Sequence, residues 1–324
     1  MIAREIGGYL ELEDYGGMPY HANAIALDSA RSCLAYLIEL RGIREIALPD
    51  LMCDAVSAVC DRMGCTYHIY SVSEDLLPDW GSLVLGNGEW LYLADYYGTL
   101  PAEAVDHASA IARGRVIVDE VQGFFREPWP KADTLYTCRK FFGVPDGAYL
   151  VTSDGTRLHR ELLSCRSAER MTHVLGRCED GGNIHYEEYS SSEDIIGLNG
   201  PKVMSEVTRR LLSGINYDRV KVLRERNFAE LNHLLGAANL IDPGSPEGPY
   251  MYPFLMTHAG EIRKRLAMRG FYVPTLWPNV LTDCPDDTVA HRLASDLLPL
   301  PVDQRYGFED MRVLARAVLE ELGI

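Results

Sequence analysis

The chain has 324 residues, 47% of them hydrophobic and 24% charged, a composition that supports a substantial buried core and more than one domain. Its net charge of −16 carries the wrong sign for a nucleic-acid partner, which has to be met by a basic footprint. No apolar run reaches the length of a membrane span, the first residues lack the apolar stretch of a secretory signal, and the eight cysteines form no Cys-x-x-Cys pair, so the expectation is a cytoplasmic protein with neither a disulfide framework nor a metal site.

From about residue 22 to 152, short apolar runs alternate with helix-like stretches. Residues 24–27 read as a strand. Ala30, Leu34, Leu37 and Ile38 then share one face, which predicts a helix over 30–40. The loop between them, Asp28-Ser29-Ala30-Arg31-Ser32, places free N–H groups and the positive end of a helix dipole where Ser29, Arg31 and Ser32 can add contacts to an anion; the same residues also suit a plain N-cap. A helix over 53–63 and strands at 45–48, 66–70, 91–94, 116–118, 134–136 and 148–151 complete the alternation. Strands apolar on both sides predict an α/β fold, a mostly parallel central sheet with helices on both faces. Ligands of such sheets bind beyond the carboxyl ends of the strands, where Asp119 and the loops at Asp28 and Pro49 stand.

Residues 156–200 are polar and read as a long irregular excursion. One long helix is expected over 202–235, a Pro- and Gly-rich loop over 239–249, strands at 250–256 and 271–276, and helices over 261–269 and 308–322. The division that follows is a large α/β domain, 1–212, and a smaller C-terminal α+β domain, 213–324, hinged near 213–218.

The chemistry centres on Lys140, in a turn between two strands, and on Asp119, twenty-one residues upstream at the end of another. Alone, a lysine beside a glycine is usually solvated, and an aspartate ending a strand is often a cap. Together they are the pair that a pyridoxal phosphate (PLP) enzyme needs: an amine to condense with the cofactor aldehyde, and a carboxylate to keep the pyridine nitrogen protonated. Gln122 can reach the ring hydroxyl or remain a solvated turn residue. Thr137 offers a hydroxyl to the phosphate, Arg139 offers charge or points to solvent, and Gly143 and Gly147 let the backbone turn behind the lysine. Weaker candidates for contacting a substrate are Tyr97, His185, Trp277 and Arg305. For Arg305 an ion pair with Asp303 ranks ahead.

On these residues the chain resembles the DegT/StrS-type aminotransferases, PLP-dependent fold-type-I enzymes that place amino groups on nucleotide-linked keto-sugars. Ser29-Ala30-Arg31-Ser32 stands where that family has its phosphate-binding helix start, and Pro49-Asp50-Leu51-Met52-Cys53 where it has the loop facing the cofactor. Tyr96-Tyr97-Gly98 resembles its aromatic–glycine turn. Asp119 and Gln122 match its Asp-x-x-Gln pair, and Lys140 its Schiff-base lysine. Gly197-Leu198-Asn199 resembles the segment whose asparagine reaches the cofactor phosphate of the neighbouring subunit, so the resemblance implies a cofactor contact by Asn199 and a homodimer with a shared active site. It also implies transamination from an amino acid such as glutamate to a keto-sugar, in polysaccharide or amino-sugar synthesis. Departures are equally specific. Cys53 stands where the family stacks an aromatic on the ring, which leaves Met52, Tyr96 or Tyr97 to cover it. Leu135 replaces a serine five residues before the lysine, which leaves Thr137, and Val144-Pro145-Asp146-Gly147 replaces a glycine-rich turn. The same fold also hosts PLP-dependent lyases, racemases and dehydratases, and non-catalytic binding relatives.

Overall fold

A computed structural model of the chain describes residues 6–181, 184–197 and 200–323. The N-terminal part runs β1 (Ile25–Leu27), α1 (Ala30–Arg41), β2 (Glu45–Pro49), α2 (Asp54–Met63), β3 (Thr66–Tyr70), β4 (Trp90–Ala94), α3 (Ala102–Ile111), β5 (Val116–Asp119), β6 (Asp133–Thr137) and β7 (Ala148–Val151). These strands form one seven-stranded sheet in the order β1-β7-β6-β5-β4-β2-β3. Strands β3, β2, β4, β5 and β6 run parallel, and β7 is antiparallel to both of its neighbours. The reversal has a local cause. Only residues 138–147 separate β6 from β7, too few for the helical crossover that a parallel neighbour requires. That short turn carries Lys140, so the lysine emerges at the same sheet edge as Asp119.

Period-two alternation divides the apolar side chains between the two faces. Ile46, Leu48, Tyr92, Ile117 and Leu135 pack with Leu34, Leu37 and Ile38 of α1 and Val59 and Cys60 of α2. Ala47, Leu91, Leu93, Val116 and Val118 point the other way, against Ala104, Val105 and Ala108 of α3. The sheet is therefore mostly parallel and covered on both faces, as its composition predicts. Strand β3 departs from the pattern, because it lies at the sheet edge and four of its five residues are exposed.

The 156–200 segment is more regular than expected. It holds two helices, α4 (Thr172–Asp180) and α5 (Tyr186–Ile195). Helix α5 escapes a reading by apolar period because its sequence, YEEYSSSEDI, buries only Ser192. The single helix expected over 202–235 is two, α6 (Glu206–Ser213) and α7 (Tyr217–Leu235). Gly214 ends the first, and the Asn216 side chain caps the second by accepting from the Arg219 N–H.

Beyond these come β8 (Met251–Leu255), α8 (Ala259–Met268), α9 (Val280–Asp283), α10 (Val289–Asp296), β9 (Leu297–Pro301) and α11 (Phe308–Leu322). The expected strand at 271–276 is irregular, and β8 pairs antiparallel with β9 instead. The prolines of LLPLP hide β9 in the sequence; in a two-stranded ribbon each strand has a free edge where a missing N–H costs nothing. Phe254, Leu298 and Leu300 of this ribbon share an apolar core with Leu231 of α7, Leu266 of α8 and Leu314 and Val318 of α11. No helix among the described residues is long and apolar enough to cross a membrane.

Candidate active site

A cavity of about 440 Å³ opens at the carboxyl edge of the sheet. Its walls bring together Ser29, Ala30 and Arg31 from the start of α1, Met52 and Cys53 from the loop after β2, Asp119 and Gln122 after β5, and Thr137, Arg139 and Lys140 after β6. Residues separated by more than a hundred positions thus meet because four parallel strands end on one side.

Asp119 closes β5 and is 7% exposed. Its Oδ2 accepts from the Tyr92 hydroxyl at 2.7 Å and its Oδ1 from the Val121 N–H at 2.9 Å. Burial raises its pKa; the charge of Lys140 and the bond from Tyr92 oppose the rise. Lys140 shows the complementary effect. Surrounding protein lowers its pKa against the opposing pull of Asp119, Cys53 and Glu193, and its Nζ lies 5.4 Å from the centre of the Tyr250 ring. A buried carboxylate and a lysine biased toward the neutral amine therefore face one cavity, the charge states suited to polarising a bound ring and to nucleophilic attack.

One end of the cavity is built on α1. Ser29 is extended, with φ −160°, and its Oγ accepts from the Ser32 N–H at 3.1 Å. The first-turn N–H groups have no acceptor within the helix. Arg31 and Arg139 converge here, and both bond Glu193 of α5. Gln122 uses its Oε1 to accept from the Tyr97 N–H at 2.8 Å, which fixes the turn where Tyr97 takes φ 61°. Its amide nitrogen remains for a ligand in the cavity. Met52, Cys53 and Tyr96 line the cavity beside the start of α2, and Tyr96 meets Trp277 edge-on at 5.5 Å. Cys53 is exposed to the cavity, with its thiol pushed up by burial.

Three expected substrate contacts lie outside these walls. Tyr97 is fully buried, edge-on to Trp277 at 6.3 Å. His185 bonds Asp180 at 3.0 Å, joining α4 to α5. Arg305 makes two bonds to Asp303, at 2.7 and 2.8 Å, the ion pair that its spacing favoured. Asn199 lies outside the described residues. Conversely, Tyr92, Asp95, Tyr189, Glu193 and Tyr250 line the cavity without having been singled out. Asp95 was findable, since it directly follows β4, whose last residue, Ala94, is in register with Asp119 at the end of β5. It accepts from Arg126 at 2.8 Å and from the Leu100 N–H at 2.7 Å.

No family model and no curated protein matches the sequence. Solved structures do. The sugar aminotransferase CalS13 from Micromonospora echinospora superposes with a TM-score of 0.68 at 14% identity, over 92% of this chain and 87% of its own. Spr1654 from Streptococcus pneumoniae, in its PLP form, gives 0.67 at 11% identity, over 92% and 86%. A DegT/DnrJ/EryC1/StrS aminotransferase from Brucella abortus gives 0.61 at 13%, over 92% and 85%. The chain has the fold of these aminotransferases, the fold-type-I architecture that its motifs resemble.

Proposed function

We propose that the chain is a PLP-dependent aminotransferase that moves an amino group from an amino acid, such as glutamate, to a keto-substrate, a nucleotide-linked keto-sugar by analogy with its structural neighbours. The observation that carries this reading is the pairing of Lys140 with the buried, doubly bonded Asp119 in one cavity. The donor set suits the cofactor: a carboxylate for the ring nitrogen, the Gln122 amide for the ring hydroxyl, and Ser29, Arg31, Thr137 and the first-turn N–H groups of α1 for the phosphate. When bound, PLP supplies an electron sink for the substrate α-carbon. Asp119 would sustain that sink by holding a proton on the ring nitrogen. Lys140 would anchor the cofactor and, when released, its neutral amine would take the α-proton and deliver it to the cofactor carbon that had carried the aldehyde. Met52 and Tyr96, which line the cavity near Cys53, would cover the ring where the family has an aromatic in place of Cys53.

This reading keeps the division into domains 1–212 and 213–324, which the separate apolar core around β8 and β9 supports. It also includes a cytoplasmic homodimer with shared active sites. Support for the dimer comes from the N-terminal arm, where Ile6, Tyr9 and Leu10 are each more than nine-tenths exposed, a state that apolar side chains rarely keep without a partner.

The test is the visible spectrum of the purified protein before and after borohydride, beside Lys140→Ala. The parent should show a cofactor band that reduction removes, with cofactor fixed to the peptide holding Lys140, and glutamate should convert the bound cofactor to its amino form. A parent that stays colourless and takes up no added PLP would end this reading.

A further inference from the structure

The α1 end of the cavity already contains an anion of the chain's own. Arg31, in the first turn of α1, and Arg139, one residue before Lys140, both reach the same carboxylate, an arrangement of two cations that calls for a negative partner. Glu193 of α5 fills that role. Both terminal nitrogens of Arg139 donate to its carboxylate, one of them to Oε2 at 3.1 Å. Arg31 donates to the same carboxylate at 3.4 Å and to the Glu193 backbone carbonyl at 2.9 Å. Just past α5, Gly197 sits at φ +77° so near the start of α1 that a Cβ there would fall 2.9 Å from Ser29 Oγ.

Apart from Tyr189, whose ring meets His173 of α4 edge-on at 5.7 Å, little else in α5 itself secures it. Ser192 is its only buried residue, and the Ser192 hydroxyl has no hydrogen-bond partner. The bonds from Glu193 to the two arginines are thus the main specific hold of this helix on the cavity. A phosphate needs the same guanidinium donors, so the carboxylate and the phosphate exclude one another.

We propose that α5 is a strap latched over the cavity by Glu193, and that a phosphate-bearing ligand binds by displacing the Glu193 carboxylate from Arg31 and Arg139. The identity of that ligand as PLP rests on the function proposed above; the latch itself does not.

The experiment uses the full chain freed of cofactor, as wild type, Glu193→Gln and Glu193→Asp, with PLP, pyridoxal and inorganic phosphate as probes. Glu193→Gln should bind PLP about threefold to tenfold more tightly than wild type, because a charged competitor is gone. Pyridoxal, which has no phosphate and does not contest the arginines, should bind wild type and variant alike. Glu193→Asp, too short to span both arginines, should fall between them. In parallel, inorganic phosphate should speed tryptic cleavage at the exposed Arg177 of α4 in wild type, whereas Glu193→Gln should be cleaved at that faster rate without phosphate. Equal PLP affinity in all three proteins, or cleavage indifferent to both phosphate and the substitution, would overturn the latch. Binding of neither PLP nor pyridoxal by any of the three would instead sink the proposed function, and the cleavage rates alone would then decide the latch.

Discussion

Lys140 and Asp119 illustrate how a site keeps groups in charge states that the fold would not choose for stability. Burial lowers the pKa of Lys140 below its usual 10.5. Between its folded-state value and 10.5 the unfolded chain binds more protons than the native one, so stability rises with pH across that window. At neutral pH the native protein therefore carries a penalty for the ammonium form. In cofactor-free protein, Lys140→Met should raise the melting temperature by about 1–2 °C at pH 7, a modest gain because the amine opens on the cavity. The advantage should shrink as pH approaches 10, and thermal unfolding across that range checks the sign. Asp119→Asn tests the other partner. The amide keeps a carbonyl oxygen for Tyr92 or Val121 but has no charge to hold a proton on the ring. Cofactor should remain bound while single-turnover amination slows by at least about 100-fold. Undiminished turnover would remove Asp119 from the chemistry.

At the scale of elements, the turn between β6 and β7 determines where the lysine points. Gly147 takes φ +119° there; its N–H donates to the Asp28 carbonyl at 2.7 Å, and a Cβ would stand 2.9 Å from Thr208 Cγ2. Gly147→Ala should therefore cost about 1–3 kcal/mol of stability through backbone strain and the clash with α6. It should also weaken cofactor binding, because the turn is tied directly to the loop that starts α1. Urea unfolding and a PLP titration measure the two effects, and a fully stable variant would show that the turn can be rebuilt around a side chain. This turn was legible in the sequence because glycine and a switch between apolar runs mark it. Most strands of the central sheet were legible because both of their faces are buried, so that their residues are largely apolar; the edge strand β3 is the exception. What the sequence hid follows from the absence of that signal. Helix α5 lies over a polar cavity and has no apolar stripe to reveal it. The ribbon strand β9 is punctuated by proline, and the break at Gly214 interrupts a pattern that continues on both sides. In the site, the residues that the sequence singled out on strand ends and loops, among them Ser29, Asp119, Gln122, Thr137 and Lys140, line one cavity. Tyr92 was missed because a tyrosine in the middle of an apolar strand looks like core, and Glu193 because its partners are 54 and 162 positions away.

Across the whole molecule, the lysine turn is joined to the C-terminal part by one buried cation. Arg224 of α7 is 2% exposed and makes no bond to a carboxylate. Its guanidinium instead donates to Gln304 Oε1 at 2.8 Å, to the carbonyls of Pro249 and Tyr250 at 2.9 and 3.3 Å, and to the Phe141 carbonyl at 3.3 Å. It also lies 4.7 Å from the centre of the Phe141 ring. Burial brings its pKa down to about 10, so the charge persists at neutral pH. The Phe141 carbonyl accepts a second bond, from Gln304 Nε2 at 2.7 Å. The residue after Lys140 is therefore clamped by α7 and by the segment following β9, and Tyr250, whose ring meets the lysine amine, hangs from the same arginine. Arg224→Met would take this donor from the Pro249 and Tyr250 carbonyls and from Gln304 Oε1, leaving the Phe141 carbonyl only its bond from Gln304, and should cost about 2–4 kcal/mol in urea unfolding. Because the clamp bears on the lysine turn, the variant should also lose cofactor faster on dilution than its lowered stability alone requires, which a variant matched in stability but altered far from the turn, such as one in the α11 core, would calibrate. Arg224→Lys keeps the charge but not the planar fork, so it should recover only part of either property. If Arg224→Met unfolds like wild type while cofactor loss quickens, the arginine serves the site and not the fold; if both are unchanged, the two parts of the chain are held together by their apolar contacts alone.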